Sequence, residues 1–401
     1  MFEALNLRLI ARVSLPVLLS ALGLLAIDLQ NSCAEVGVAA DQIVIGTANT
    51  LSGPSAFVGK EMNIGFNAYI QYVNDHGGIN GRKIKVVSCD DRYEQDGAIQ
   101  CFKKLTEDGV FGITGCYGAA LMAKYLPMAM NEKIPMVGFS SGPAFAADPV
   151  KRYVFTIRPD FTKEEMQVVD KLWNDGHFRK FAVVYQNDAY GNAILTGVSN
   201  MLKTHNADVV ATGSYTRNLN NLDQAFALVK KANPEVVILG AVQVPCAEFA
   251  KMAHKANWHP LLVINSGSAV DDYLTLAGKD ADGTLVTEVS PSFVHSSLPA
   301  VKLYEELLKK YYPDEKPNFT SLRGYNNAML WVEALKRTGK DLTREKFVDT
   351  LDSMRDWDQG LGKSMEVSFS PSNHVGRSNL FYCMVKGNEV VGFSEWNRLK
   401  K

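Results

Sequence analysis

Short apolar runs alternate with longer amphipathic stretches along most of the chain. The first run, residues 42–48 (QIVIGTA), ends at a Leu51-Ser52-Gly53-Pro54 turn, and a helical pattern follows through Asn74. A brief buried strand, a turn-forming loop and a helix-period stretch make a β-loop-α unit. The unit recurs: KIKVVSCDD precedes a helix at 95–108, VFGITG precedes one at 119–132, and IPMVGFSSG closes the series. After Arg158-Pro159 the rhythm restarts with a helix at 163–176, FAVVYQ, a helix at 192–205, ADVVATGSY, a helix at 221–232, EVVILGA, a helix at 246–256, and the strands LLVINSG and GTLVTEVS. Apolar strands linked by helices predict parallel, doubly wound sheets covered on both faces. Two such α/β lobes fit a chain of 401 residues.

Beyond Ser290 the pattern changes. Helical stretches at 300–311, 322–338 and 344–354 precede strand-like MEVSFS, LFYCMVK and EVVGFS, which need a sheet to join. If the helices cover the first lobe and the strands extend the second, the chain crosses between lobes near 158–161, 287–291 and 360–365. The expected organisation is a signal segment at 1–40, a first lobe at 41–159 plus 290–363, and a second lobe at 160–289 plus 364–401. Three crossings make a hinge over a cleft, and ligands of open α/β sheets sit beyond the carboxyl ends of the strands.

The N-terminal segment carries Arg8 and Arg12 ahead of an apolar run at 13–27 that is interrupted by Ser14, Pro16, Ser20 and Gly23. That is the pattern of a cleavable secretory signal peptide, and the run is shorter than the roughly 18 to 20 apolar residues of a membrane-spanning helix. A soluble periplasmic protein is expected. Small residues offer cleavage after Ala34 or after Ala40, and Ala40 is preferred because a strand begins at once. Cys33 offers a lipoprotein alternative, against which Gln30 and Asn31 stand where a lipobox needs small and branched apolar residues.

Charge narrows the partners. Lys plus Arg number 42 against 43 Asp plus Glu, with no long run of either sign, so nucleic acid is not an expected partner. Export permits disulfides, and Cys89, Cys101 and Cys116 lie close enough in sequence for a bridge among them, with the pairing open. No CxxC pair offers zinc or thioredoxin chemistry.

Several segments together carry a resemblance: TANTLSGPSAFVGKEMNIGFNAYIQYVNDHGGINGRKIKVVSCDD near the start, IPMVGFSSG, VVYQNDAYGNAILTGV with its Tyr190-Gly191 turn, SLRGYNNAMLWVEAL, and FSPSNHVG. The chain resembles the branched-chain amino-acid type of periplasmic solute-binding protein over essentially all of its length past residue 40. The resemblance implies a type I fold of two lobes, no enzymatic activity, no cofactor, a small-molecule ligand, and the membrane permease of an ABC importer as partner. A ligand sensor of the same fold is the alternative within the family.

The residues support binding without chemistry. Ser140 and Ser141 follow an apolar strand in a glycine-containing loop, where hydroxyls and N–H groups bind a carboxylate or cap a helix. Asp90 and Asp91 end a strand just before a helix and read as N–H caps rather than an acid/base pair. Gly46, Gly53 and Gly59 form no dinucleotide fingerprint, and neither a GxxxxGK[ST] loop nor a GxSxG elbow occurs. His254 and His259 fall on different faces of a helix that Pro260 ends, so no metal site is expected, and Cys246 reads as a buried structural thiol.

Amino-acid-binding members of the family hold the α-carboxylate with hydroxyls after the third and fourth strands and the ammonium with an acid of the second lobe. An ungapped alignment puts Ala119 and Leu121 where the first hydroxyls belong and Ser266 where the acid belongs. An ammonium would then lack a counter-charge, which is costly in a closed cleft. Phe57 and Val58, Tyr117, Tyr190, Val242 and Gln243 are candidates to enclose a ring or hydrocarbon chain. Glu288 is either a hydrogen-bond acceptor for the ligand or a solvated hinge acid, and Arg323 either a carboxylate partner or a surface charge. The candidate ligand site is thus Phe57, Tyr117, Ser140, Ser141, Tyr190, Gln243, Ser266 and Glu288. The expected solute is an organic acid without an α-ammonium group, aromatic by preference, with a branched-chain amino acid as the alternative.

Overall fold

A computed structural model describes residues 35–219, 221–363, 365–387 and 389–400. Cys33, Ala34 and the apolar run before them lie outside the described residues. Two sheets organise the chain. The first has the order β2 (Lys83–Asp90), β1 (Gln42–Asn49), β3 (Gly112–Gly115), β4 (Met136–Phe139), β5 (Val154–Phe155), all parallel. The second runs β12 (Glu389–Gly392), β11 (Phe381–Lys386), β10 (Leu285–Glu288), β9 (Leu261–Ile264), β8 (Val236–Gly240), β6 (Phe181–Gln186), β7 (Ala211–Tyr215). Its pairs are parallel except β10 with β11 and β11 with β12, which are antiparallel. In each sheet the order reverses beside the first strand of its series, β1 or β6, and that is where doubly wound folds open a crevice.

In the first lobe, α1 (Ala56–Asp75), α2 (Gln95–Glu107) and α3 (Ala119–Asn131) follow the first three strands. The chain then returns to this lobe with α10 (Pro299–Tyr311), α11 (Phe319–Thr338) and α12 (Arg344–Ser353). The return is anchored by α11 lying against α1 at unusually close range. A Cβ at Gly65 would come within 1.7 Å of the Ser321 carbonyl oxygen, and one at Gly324 within 2.2 Å of that of Met62, so each helix offers a glycine where the other's backbone passes. On its other side α11 buries Trp331, whose indole N–H donates to the Val137 carbonyl at 3.0 Å and whose ring stacks on Phe347.

The second lobe carries α5 (Phe161–Asn174), α6 (Ala189–Thr204), α7 (Asp223–Ala232), α8 (Gln243–Lys255) and α9 (Val270–Ala277). Side-chain caps start two of them: Asp160 accepts from the Lys163 N–H, and Asp188 from those of Tyr190 and Gly191.

Three details depart from or refine the reading of the sequence. Residues 365–370 (MEVSFS) form no strand of the second sheet. Val367 bridges Trp357, Val375 bridges Thr156, and Phe369 packs edge-on against Phe155 at 5.2 Å, so this segment stays with the first lobe and the third crossing lies after Arg377 rather than near 360–365. Of the apolar alternation Met365, Val367, Phe369, the last two are covered by α12 and β5, and Met365 packs among residues of α10 and α11. The disulfide joins Cys89 to Cys101, tying the end of β2 to α2, while Cys116, Cys246 and Cys383 are buried thiols. Residues 36–40 fold back on β1, with the Gly37 carbonyl accepting from the Val44 N–H at 2.8 Å and Val38 bridging Ile43. Among the described residues no helix is long and apolar enough to cross a membrane.

Candidate ligand cleft

The loops after β1, β3 and β4 face those after β6, β8 and β9 across the cleft. The β1 loop is held by both aspartates. Asp90 accepts from the Leu51 and Arg92 N–H groups and the Ser52 hydroxyl, and Asp91 from the hydroxyls of Thr50 and Tyr125 and the Tyr93 N–H. They are structural, as expected, but they fasten a loop instead of capping a helix. Burial pushes the Asp91 carboxyl above the usual range, opposed by these hydrogen bonds.

Ser140 and Ser141 follow β4. The four-residue helix α4 (Ala144–Ala147) begins after Pro143 and receives no side-chain cap, so the serines are not its caps. The Ser140 N–H is taken by the Gly115 carbonyl at 2.6 Å, yet the hydroxyl of each serine is buried and has no partner. Opposite, the expected site residue Ser266 is fully engaged. Its hydroxyl donates to Glu164 at 2.7 Å and accepts from Arg158 at 2.8 Å, its N–H donates to Glu164 at 2.9 Å, and its carbonyl accepts from Arg323. Ser266 therefore extends a buried Arg158–Glu164 ion pair of 3.0 Å, which Thr287 joins by donating to Glu164 at 2.5 Å. Arg158 also donates to the Ser140 carbonyl at 3.3 Å, so one guanidinium at the first crossing holds both the first-lobe serine loop and the second lobe.

Tyr190 is likewise engaged: its hydroxyl donates to Asn265 at 2.8 Å, and Asn265 donates to Glu165 at 2.9 Å. Burial, with the charge of Glu164 adding to it, pushes Glu165 up to about 8. Tyr117 stacks on Tyr93 with ring centroids 5.1 Å apart and donates across the cleft to the Gly267 carbonyl at 3.2 Å. Gln243 donates across it to the Pro54 carbonyl at 3.3 Å, and its own side-chain oxygen has no partner. Phe57 is half-buried against the large apolar cluster, next to buried Val58, and makes no polar contact. Glu288, at the end of β10, is fully buried rather than solvated, with one carboxyl oxygen lacking a partner. Burial pushes it up to about 8 against the lowering charge of Arg323. Ala119 and Leu121, at the start of α3, are buried and bring no hydroxyl to the cleft. Further bonds span the lobes from Gln186 to Tyr93 at 3.2 Å and from the Phe319 N–H to Asp271 at 2.9 Å.

Sequence reasoning missed Arg158, Glu164, Glu165 and Tyr93. One signal was available: Glu164 and Glu165 lie three and four residues after Phe161 and four before Val168 and Val169, which puts both acids on the buried stripe of α5. Two acids on an apolar face need buried partners. Among the described residues no group of three or more His, Cys, Asp or Glu side chains suits a metal ion.

A family model described as periplasmic binding protein matches residues 42–389. The Leu/Ile/Val-binding protein homolog 7 of Brucella suis biovar 1 is 23% identical over 331 residues, spanning 78% of this chain and 82% of its own length. Among solved structures, a possible leucine/isoleucine/valine-binding protein from Rhodopirellula baltica SH 1 superposes with a TM-score of 0.85 at 24% identity, covering 90% of this chain and 98% of that one. A branched chain amino acid ABC transporter protein from Thermus thermophilus with bound valine gives 0.80 at 19% identity, covering 89% and 97%.

Proposed function

The chain belongs to the periplasmic binding protein family, and from that premise we propose that it is an exported receptor that closes two lobes around one small carboxylate-bearing solute and presents it to the permease of an ABC importer. One observation carries the ligand class: the Ser140 and Ser141 hydroxyls are buried at the mouth of β4 and have no partner. Leaving a buried donor unsatisfied costs about 1–3 kcal/mol, which a solute carboxylate accepting from both would recover. No covalent step is needed, and the hydrogen bonds of Tyr117, Gln243 and Arg323 across the cleft would open and re-form with the hinge.

Two readings of the rest of the solute have support. The engagement of Ser266 by Glu164 and the aromatic wall of Tyr93, Tyr117 and Tyr190 favour an aromatic acid without an ammonium group. The partnerless oxygen of Glu288 favours an amino acid, because that carboxyl can receive an ammonium, and the valine bound to the Thermus thermophilus neighbour points the same way.

Calorimetry with leucine, benzoate and a phenylpropanoid acid separates them. Ser141→Ala is expected to weaken whichever solute binds by about ten- to a hundred-fold, the effect of losing a charge-assisted hydrogen bond of about 1.5–3 kcal/mol. Glu288→Gln should weaken an amino acid and spare an aromatic acid. An unchanged affinity in Ser141→Ala removes the serine loop from the site, and tight leucine binding with no response to either aromatic acid sinks the aromatic reading. Small-angle scattering should show compaction with solute. The fold-back of residues 36–40 on β1 favours processing after Ala34, which retains it, over Ala40, and the first residue found by mass spectrometry of the exported form decides between them.

A further inference from the structure

On the hinge side of the β4 loop lies a cavity of about 20 Å³, whose lining includes Ser140, Arg158, Ser290, Arg323, Asn326 and Arg377. That volume admits one group about the size of a water molecule. Three arginines around so small a space form an imbalance of charge. Arg158 is neutralised by Glu164 at 3.0 Å. Among the described residues, neither Arg323 nor Arg377 contacts a carboxylate. Arg323 donates to the Ser266 carbonyl and, at 3.2 Å, to the Thr320 hydroxyl. Arg377 donates to the Gln359 side-chain oxygen at 2.5 Å and the Met365 carbonyl at 3.5 Å. The Nε–H of each has no acceptor, and the Ser140 hydroxyl that also lines the cavity has none either.

Both arginines are 7% exposed. Glu288 and Asp271 act on Arg323 only through space, and burial pushes these carboxyls up to about 8 and about 7, towards their uncharged forms. Nothing offsets the burial of Arg377, whose guanidinium is driven down to about 9. A buried cation is costly unless paired, so this arrangement calls for a negative charge that the chain does not itself supply.

We propose that the cavity is a subsite for one small anion, held by donors from Arg323, Arg377 and Ser140. Two sources share that chemistry, a free halide and the acidic end of a bound solute. The second source rests on the solute reading, whereas the first goes beyond it, because a halide would occupy the subsite even in the solute-free protein.

The test uses the processed full-length protein without solute. Its thermal unfolding midpoint is followed as chloride, or separately formate, replaces gluconate at constant ionic strength, and crystals grown in bromide are examined for anomalous density in the cavity. A midpoint that rises and saturates with chloride, with bromide density beside Arg377, supports a free halide. A saturable rise with formate but not chloride supports the acidic end of a solute. Arg377→Gln should abolish the dependence and Arg377→Lys should weaken it without abolishing it. If Arg377→Gln fails to fold, the bromide density and the lysine variant still decide. A midpoint equal in all three anions overturns the proposal, and bromide density without a saturable rise, meaning binding at crystal concentration only, overturns it too.

Discussion

Two serine-bearing loops face each other across the cleft, each at the carboxyl end of a parallel strand, and they are wired in opposite ways. After β9, the Ser266 and Ser268 hydroxyls are both satisfied, by Glu164 and by the Ala241 carbonyl, and neighbouring Asn265 is held between Tyr190 and Glu165. After β4, the Ser140 and Ser141 hydroxyls are equally buried and satisfied by nothing. The same residue type at the same place in the fold is hydrogen-bonded scaffold in one lobe and carries partnerless hydroxyls in the other, which is the basis for proposing that loop as the receptive surface. Position at a strand end marks a loop as a candidate, and the state of its hydrogen bonds separates the two roles.

The largest expected effect comes from breaking the satisfied side. Glu164→Ala removes the acceptor of Arg158, Ser266 and Thr287 and leaves a buried guanidinium unpaired, which should cost about 3–5 kcal/mol in urea unfolding. A loss below about 1 kcal/mol would mean that Arg158 finds water, and the second-lobe loop would no longer count as closed scaffold. The first-lobe face has its own support in the disulfide beside Asp90. Replacing Cys89 and Cys101 together by Ser should lower stability by about 2–4 kcal/mol with solute affinity largely retained, because the bridge constrains the chain without touching the serines. A large fall in affinity at modest destabilisation would show that the β1 loop is part of the receptive surface.

The comparison is sharpest in the serines themselves. Ser266→Ala should destabilise the solute-free protein by about 1–3 kcal/mol, since it strips partners from a buried ion pair. Ser141→Ala should not destabilise the solute-free protein, and should raise its stability by up to about 1–3 kcal/mol because it removes a buried hydroxyl with no partner, while weakening solute binding. If both variants behave alike in denaturation, the distinction between the loops fails. A last expected effect is in pH. Glu165 and Glu288 are raised to about 8 in the folded protein, chiefly by burial, so the folded state binds more protons than the unfolded state between the ordinary carboxyl range and that value. Stability is then fully present below about pH 4.5 as far as these groups contribute, and falls as pH rises towards 8. Glu288→Gln should flatten part of that slope, and a slope of the opposite sign would assign these carboxyls ionised partners that the hydrogen bonds do not reveal.

Much of the architecture was legible because it is local. Strand-period and helix-period stretches, Gly-Pro turns and the restart after Pro159 depend on residues within a turn or two of each other, and they set the order of β-loop-α units. The loops bearing Tyr117, Ser140, Ser141 and Tyr190 follow from that order. The segment 365–370 was misread for the complementary reason. Its alternation signals a half-buried extended stretch but carries no label for the surface that buries it, and Phe155 with α12 competes with the second sheet only in three dimensions.

The sequence by itself determined that this protein is built from two series of β-loop-α units, that its candidate site loops lie at strand carboxyl ends, and that family resemblance runs through its length. Tertiary structure alone decided which polar groups are satisfied. Ser266 meets Glu164 across 102 positions and Arg158 across 108, and Arg377 reaches the hinge cavity only because the third crossing comes late. Periodicity registers whether a side chain faces inward. The cost of burying its charge or hydroxyl depends on what lies within about 3 Å, and those neighbours are set by how the lobes, hinge strands and returning helices pack.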